Sequence, residues 1–176
     1  MNLRNAIVAL LFAVPALIAL PGSSHNPIVF GGALIWCLWF EYWYHRALQH
    51  RPGTIFQQKH HIHHATYQTV EDCTSTSCAE HLDFGGNVVY VAILFTANGA
   101  PLLLIDLVFG VHWLAPSMIV FVSFFLFLEI LHRRIHLGQW VPWGAAHHHK
   151  HHVAPLTNFG VVSSWLDRLF GTKAQS

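Results

Sequence analysis

Long stretches without charge are the feature that most restricts how this chain can fold. No Asp, Glu, Lys or Arg occurs between Asn5 and Phe40, and turn-forming residues interrupt that stretch only at 21–27. Two further apolar runs follow in the second half of the chain. Because a helix needs about 20 apolar residues to cross a bilayer, the sequence predicts an all-α integral membrane protein with four transmembrane helices. The predicted spans lie near residues 3–20, 28–44, 87–105 and 113–131.

The composition supports a membrane location. Hydrophobic residues make up 53% of the 176 residues and charged residues 10%, whereas soluble domains carry about 25% charged residues. The net charge of +1, with histidines neutral, argues against a nucleic-acid partner. A chain of this length favours one membrane-embedded domain, residues 1–176. The three cysteines match neither a zinc knuckle nor a disulfide framework.

The positive charges fall on one side of the predicted topology. Four spans in up-and-down order place the N-terminus and the segments 45–86 and 132–176 on the same side of the membrane. All nine lysines and arginines belong to that side: Arg4, Arg46, Arg51, Lys59, Arg133, Arg134, Lys150, Arg168 and Lys173. By the positive-inside rule this side is cytoplasmic. The compact chain favours a bacterial inner membrane over the endoplasmic reticulum.

Histidine is the unusual component of the chain. Of the 16 histidines, 13 form four clusters, all on the predicted cytoplasmic side. The clusters are His45 and His50; His60, His61, His63 and His64; His132 and His136; and His147, His148, His149, His151 and His152. We interpret the isolated His25 and His112 as residues of solvated turns. For the isolated His81, a ligand or proton-relay role is the less favoured alternative to a surface role.

The spacing within the clusters is suited to metal binding. His132 and His136 are an i, i+4 pair, so both rings lie on one helix face. Two sets repeat the pattern i, i+3, i+4: His60, His63 and His64, then His148, His151 and His152. His45 and His50 are an i, i+5 pair, which an ideal helix would splay apart. Either a distorted helix end brings both rings to one site, or they serve two ions.

Ten histidines therefore stand at ligand spacing. Imidazole suits iron, zinc, copper and nickel, and ten ligands exceed the four of a tetrahedral zinc site, so the pattern predicts two metal ions. The candidate metal ligands are His45, His50, His60, His63, His64, His132, His136, His148, His151 and His152. Three clustered histidines are not counted among the candidate ligands: His61, His147 and His149. The choice is not unique in the last cluster, because His147 and His151 also form an i, i+4 pair.

Two acidic residues lie close to the histidine clusters. Glu41 precedes His45 by four residues, and Glu129 precedes His132 by three. A carboxylate near the end of an apolar span is costly unless it is paired. Each is expected either to accept a hydrogen bond from a ligand's second ring nitrogen, or to reach the polar interface or a neighbouring arginine.

The order of the clusters, together with the C-terminal sequence, resembles a known family. The four clusters resemble the histidine boxes of the fatty acid hydroxylase / sterol desaturase superfamily. Residues 158–172, NFGVVSSWLDRLFGT, are similar to the C-terminal signature of that superfamily. The resemblance extends from about residue 41 to residue 172, and the predicted first span agrees with the family's topology.

The resemblance implies a membrane oxygenase with a cytoplasmic, histidine-rich helical catalytic cap. Members oxidise unactivated C–H bonds of lipids such as fatty acyl chains or sterols with O2. Their two electrons come from a separate donor, of the cytochrome b5 or ferredoxin type, and its reductase. The resemblance assigns the ten histidines to two iron ions, which zinc can replace in a purified sample. No catalytic residue is implied beyond the metal centre, and Asn158, Gly160 and Asp167 match the tail motif without a catalytic role.

Several alternatives stay open at the level of sequence. A carotenoid ring hydroxylase shares the compact size and the histidine boxes, and desaturation differs from hydroxylation only in substrate placement. A membrane metal-binding or metal-transport protein belongs to a different class, but a transporter is expected to hold its ligands near the middle of the membrane. The loop at residues 65–86 lies where a lid would sit, an expectation based on position alone.

Overall fold

The structure, a computed structural model, describes residues 3–69, 83–142 and 145–174. Within these ranges the chain is helical and contains no β-strand, as the sequence predicts. The helices are α1 (Leu3–Ala19), α2 (Pro27–Trp43), α3 (Gln57–Thr66), α4 (Val88–Phe109), α5 (Leu114–His136), α6 (Ala146–Val153) and α7 (Trp165–Leu169). A 3-10 turn, Leu20–Gly22, extends α1, and a π-helix, Tyr44–Gln49, follows α2 directly. His81 and most of the proposed lid lie outside the described residues.

Among the residues that the structure describes, three helical segments are long and apolar enough to cross a membrane. They are Leu3–Gly22, Val88–Phe109 and Leu114–His136, which is consistent with a multi-pass membrane protein. The second predicted span corresponds to α2, which has 17 residues and is shorter than these three segments. Four spans, and the side of the membrane on which the histidines lie, therefore stay predictions.

The chain divides into two compact units. The first comprises residues 1–37 and 87–127. Within it, α1 packs on α4 through a stripe of buried small residues: Ala6, Ala9, Ala13 and Ala16. Small side chains let two helix backbones approach closely, and Phe12 stacks on Phe95 with ring centroids 5.2 Å apart.

A short turn joins α4 to α5 within the first unit. Gly110, at φ +62°, ends α4 in the left-handed region that glycine adopts without strain. The Asp106 carboxylate then accepts hydrogen bonds from the backbone N–H groups of Trp113 and Leu114, at 2.7 and 2.9 Å. Because these N–H groups lie at the start of α5, where no helical acceptor exists, Asp106 caps that helix.

The second unit comprises residues 38–86 and 128–176. It contains all thirteen clustered histidines. The ends of α2 and α5, the π-helix, α3, α6 and α7 belong to it. His25 and His112 belong to the first unit and are exposed, as the sequence interpretation expects.

Candidate metal centre

A π-helix resolves the spacing of His45 and His50. Residues Tyr44–Gln49 form this element, and the backbone N–H of His50 donates to the carbonyl of His45 at 3.2 Å. Because a π-helix closes i→i+5 hydrogen bonds, residues five apart come to lie one above the other. The two ring centroids are 5.0 Å apart. The distorted helix end thus brings both rings to one site, the first of the two alternatives.

Five imidazoles converge in what we call the first histidine group. Its members are His45, His50, His60, His64 and His151, and their candidate ligand atoms all lie within 4.8 Å of one another. The Nε2 atom of His60 is 3.0 Å from that of His45 and 2.9 Å from that of His50. The Nε2 atom of His151 is 3.1 Å from those of His50 and His64. The nitrogens therefore face a common centre.

Five other imidazoles form the second histidine group. Its members are His63, His132, His136, His148 and His152, again within 4.8 Å of one another, and all five are buried. The Nε2 atoms of His136 and His148 are 3.0 Å apart, and that of His152 is 3.2 Å from that of His148. The two groups contain all ten histidines at ligand spacing, while His61, His147 and His149 lie outside both.

Helices α3 and α6 each supply both groups. On α3, His60 and His64 belong to the first group and His63 to the second. On α6 the i, i+4 pair His148 and His152 belongs to the second group and His151 to the first. In each set the i, i+4 pair stays together, since its rings lie nearly above one another, and the third histidine goes to the other group.

Backbone carbonyls fix the tautomers of three of these rings. The Nδ1–H groups of His45, His151 and His152 donate to the carbonyl oxygens of Phe159, Thr157 and Tyr67, at 2.5, 2.6 and 2.8 Å. A carbonyl oxygen can only accept, so the proton resides on Nδ1. In a neutral ring Nε2 then carries a lone pair, and in each of these three rings that lone pair is directed at the other nitrogens of its group.

The groups fit metal ions. Ring nitrogens within each group lie 2.9–3.2 Å apart, close enough to share one cation. Two nitrogens bound at about 2.1 Å and at right angles to each other would be about 3.0 Å apart. Burial lowers the pKa of His60, His63, His148 and His151 well below the ordinary histidine value. These rings are therefore neutral near pH 7, as metal ligation requires.

A cavity of about 400 Å³ opens beside the first group. Three members of the first group, His50, His60 and His64, line it, together with Gln49, other residues of α3 and α6, and one member of the second group, His152. The buried Gln49 side chain donates through Nε2 to the carbonyl of Phe84 at 2.7 Å. Burial lowers the pKa of His50, one of the two partly exposed members of the group, to about 4. The first group is thus accessible from this cavity.

Glu41 and Glu129 are buried and accept hydrogen bonds from backbone N–H groups. Glu41 accepts from Val161 at 2.6 Å. Glu129 accepts from Phe84 and Gly85, at 3.2 and 2.6 Å. The Phe84 ring lies 5.2 Å from the His45 ring and 5.4 Å from the His132 ring. The carboxylates therefore hold loops against the histidines, a role that differs from both of the alternatives expected from the sequence.

The tail motif also lies against the site. Asn158, Gly160 and Asp167 are buried, and the Phe159 ring lies 5.5 Å from the His50 ring and 5.6 Å from the His151 ring. Sequence reasoning assigned no role in the site to these residues. The positive φ of Asn158, +54°, is a local sign that its conformation is imposed by the surroundings.

Comparison with known proteins agrees with the geometry. No curated protein and no solved structure that was compared matches the chain. The model of the fatty acid hydroxylase family matches residues 29–172, which cover most of the chain and all ten histidines of the two groups. That family and the paired histidine groups indicate a membrane histidine-box oxygenase. The protein is accordingly a member of the fatty acid hydroxylase family, within the sterol desaturase/fatty acid hydroxylase superfamily.

Proposed function

We propose that the protein is a membrane di-iron oxygenase that hydroxylates, or desaturates, an unactivated C–H bond of a lipid such as a fatty acyl chain or a sterol. The observation that carries this proposal is the arrangement of ten imidazoles in two groups of five, with their nitrogens facing inward. Apolar helices and family membership support a lipid substrate taken from the bilayer.

Each group would hold one iron ion, and its residues would act as ligands. Imidazole suits iron, and the carbonyls of Phe159, Thr157 and Tyr67 keep three of the rings in the ligating tautomer. Bound iron would supply the activation of O2 and the cleavage of the aliphatic C–H bond, which side chains alone do not accomplish. Burial of all five histidines of the second group would keep bulk water away from its ion.

The reaction needs an external reductant. In hydroxylation one oxygen atom of O2 enters the C–H bond and the other leaves as water, with two electrons and two protons from the donor. In desaturation two hydrogens leave the substrate and both oxygen atoms leave as water, again with two electrons and two protons supplied. A separate protein of the cytochrome b5 or ferredoxin type, with its reductase, would deliver the electrons.

Metal content is the first test. Protein purified in detergent is reconstituted anaerobically with Fe²⁺, and bound iron is measured by elemental analysis. A triple variant, His148/His151/His152→Ala, removes members of both groups. The matched control, His25/His61/His112→Ala, removes three exposed histidines outside them. We expect about two ions per chain in the parent and control, and a clear loss in the first variant. No tight iron, or equal iron in all three, would refute the proposal.

Product analysis under ¹⁸O2 tests the reaction. The loaded protein is supplied with a reductant and with acyl lipids, sterols or carotenoids in separate assays, and products are measured by mass spectrometry. A product carrying one ¹⁸O atom supports hydroxylation, and loss of two hydrogens supports desaturation. Oxidation of carotenoids alone would favour the ring hydroxylase. Metal uptake into vesicles without oxidation would favour a transporter.

A reporter fused after Ser176 tests the predicted topology. We propose that the histidine groups face the cytoplasm, because the lysines and arginines lie on their side of the predicted topology. A reporter that is active only in the cytoplasm should then be active. If a reporter that is active only outside the cytoplasm were active at the same position, the four-span arrangement would be wrong.

A further inference from the structure

The segment 157–161, which we call the strap, passes directly behind the first histidine group. Its carbonyl oxygens at Thr157 and Phe159 accept the Nδ1–H groups of His151 and His45, at 2.6 and 2.5 Å. Both imidazoles belong to the first group. The position of the strap backbone therefore sets the tautomer and the orientation of two of the five rings in that group.

The backbone N–H groups of the strap donate hydrogen bonds to two buried carboxyl groups. Phe159 and Gly160 donate to the two oxygens of Asp167, at 2.8 and 2.9 Å. Val161 donates to Glu41 at 2.6 Å. Asp167 and Glu41 therefore hold the strap through its backbone N–H groups, while its carbonyl oxygens at Thr157 and Phe159 accept from the histidines.

Asp167 is the centre of this arrangement. Besides the strap, Thr172 Oγ1 donates to its Oδ1 at 2.7 Å, and His147 Nε2 donates to its Oδ2 at 3.1 Å. Burial raises the pKa of the carboxyl, but hydrogen bonds from His147, Gly160, Thr172 and Phe159 outweigh burial, and the pKa lies below its ordinary value. Hydrogen bonds from four donors favour the ionised form of this fully buried carboxyl group.

The strap packs closely against Ser163 and Asp167 at Gly160. A Cβ atom at Gly160 would overlap the carbonyl oxygen of Ser163 and would lie 3.1 Å from Asp167 Oδ2. Next to it, Asn158 donates through Nδ2 to the carbonyl of His147 at 3.1 Å. Its Oδ1 accepts the backbone N–H of Ala174 at 2.8 Å. The strap is thus tied on both sides.

We propose that Asp167 is a positioning residue for the first histidine group: by holding the strap it orients His45 and His151 and so sets the metal affinity of that group without setting that of the second. The second group has a support of its own, because the carbonyl of Tyr67, outside the strap, orients His152. This inference rests on the proposed function, since it presupposes that the groups bind metal.

The test is the substitution Asp167→Asn in the full chain. Asparagine is nearly isosteric, but its amide has a single oxygen, so at least one of the strap N–H groups would face an NH2 group. The matched control is Asp106→Asn, which makes the same change at another carboxylate that accepts two backbone N–H groups, in the first unit. The probe is Co²⁺, titrated into metal-free protein and followed by its visible absorption.

Single variants assign the absorption to each group. His50→Ala alters only the first group and His136→Ala only the second, so the band that each one changes identifies its group. For Asp167→Asn we expect about tenfold weaker Co²⁺ binding at the first group, with its band shifted. The second group should keep its band and its affinity, and Asp106→Asn should alter neither. A general structural defect would not separate the bands in this way.

A milder variant, Thr172→Val, keeps the inference testable if circular dichroism shows that Asp167→Asn does not fold. Thr172→Val removes one donor to Asp167 and should weaken the first group selectively. Gly160→Ala, whose Cβ would overlap the Ser163 carbonyl oxygen and displace the strap, should do the same where it folds. Equal weakening of both groups, or no weakening in the folded variants, would overturn the inference. Failure of the unaltered protein to bind Co²⁺ would instead count against the proposed function.

Discussion

The first and second histidine groups have the same number of imidazoles but different surroundings. All five rings of the second group are buried, whereas His50 and His64 of the first are partly exposed beside a cavity of about 400 Å³. Two sites built from the same side chain therefore differ in access. We infer that a small reactant, or a chelator, reaches the first group more easily than the second.

The groups also differ in where their ligands come from along the chain. His132 and His136, on α5, belong to the second group, while the π-helix places His45 and His50 in the first. For the second group, a regular helix with an i, i+4 pair brings two ligands together. The first group needs a locally distorted helix to do the same. The first group therefore depends more on local backbone geometry and on the strap.

The largest effect is expected from removing one ligand of each group. His151→Ala should remove metal from the first group and His136→Ala from the second, and each should abolish turnover, because the proposed reaction needs both ions. Elemental analysis and the ¹⁸O2 assay measure the two effects. Normal activity in either variant would show that its histidine is not a ligand.

A smaller effect, shared by both groups, is expected from Glu129→Gln. Glu129 is fully buried and accepts two backbone N–H groups, and an intramolecular hydrogen bond contributes about 0.5–1.5 kcal/mol. Phe84, whose backbone N–H donates to Glu129, packs its ring on His45 and His132. Thermal unfolding in detergent should shift downward, and Co²⁺ binding should weaken at both groups. Weaker Co²⁺ binding at one group alone would mean that Glu129, like Asp167, acts on a single group, and would contradict this prediction.

Access can be compared by metal release to a chelator. The first group is partly exposed and the second is buried, so release should be biphasic, with the first-group ion leaving roughly tenfold faster. Absorbance of an Fe²⁺ chelate follows both phases. His50→Ala should abolish the fast phase and His136→Ala the slow one. A single phase in the unaltered protein would mean that the difference in burial has no kinetic consequence.

The smallest effect is expected at His61. His61 is exposed and lies outside both groups, while its neighbour His60 is buried in the first. His61→Ala should change stability by about 0.5 kcal/mol or less and leave metal content unchanged, whereas His60→Ala should lose metal. Loss of metal in His61→Ala would mean that the register of the histidines along α3 is wrong.

Local patterns in the sequence determined the class of the protein and the set of histidines. Apolar runs and low charge predict membrane helices, because hydrophobicity is a property of each segment by itself. Helical spacing selects the ten histidines, because i, i+3 and i+4 positions share a face in any helix. The structure brings those same ten together, and their binding of metal stays a prediction.

Only the tertiary structure decided how the ten are divided and what holds them. Spacing cannot assign His63 and His151 to the group opposite their helical neighbours, since that depends on which ring nitrogens each helix meets after packing. Nor can it reveal the partners of Glu129 and Asp167, because these are backbone N–H groups. Every residue except proline carries such a group, so the sequence contains no signal for which one a buried carboxylate will bind.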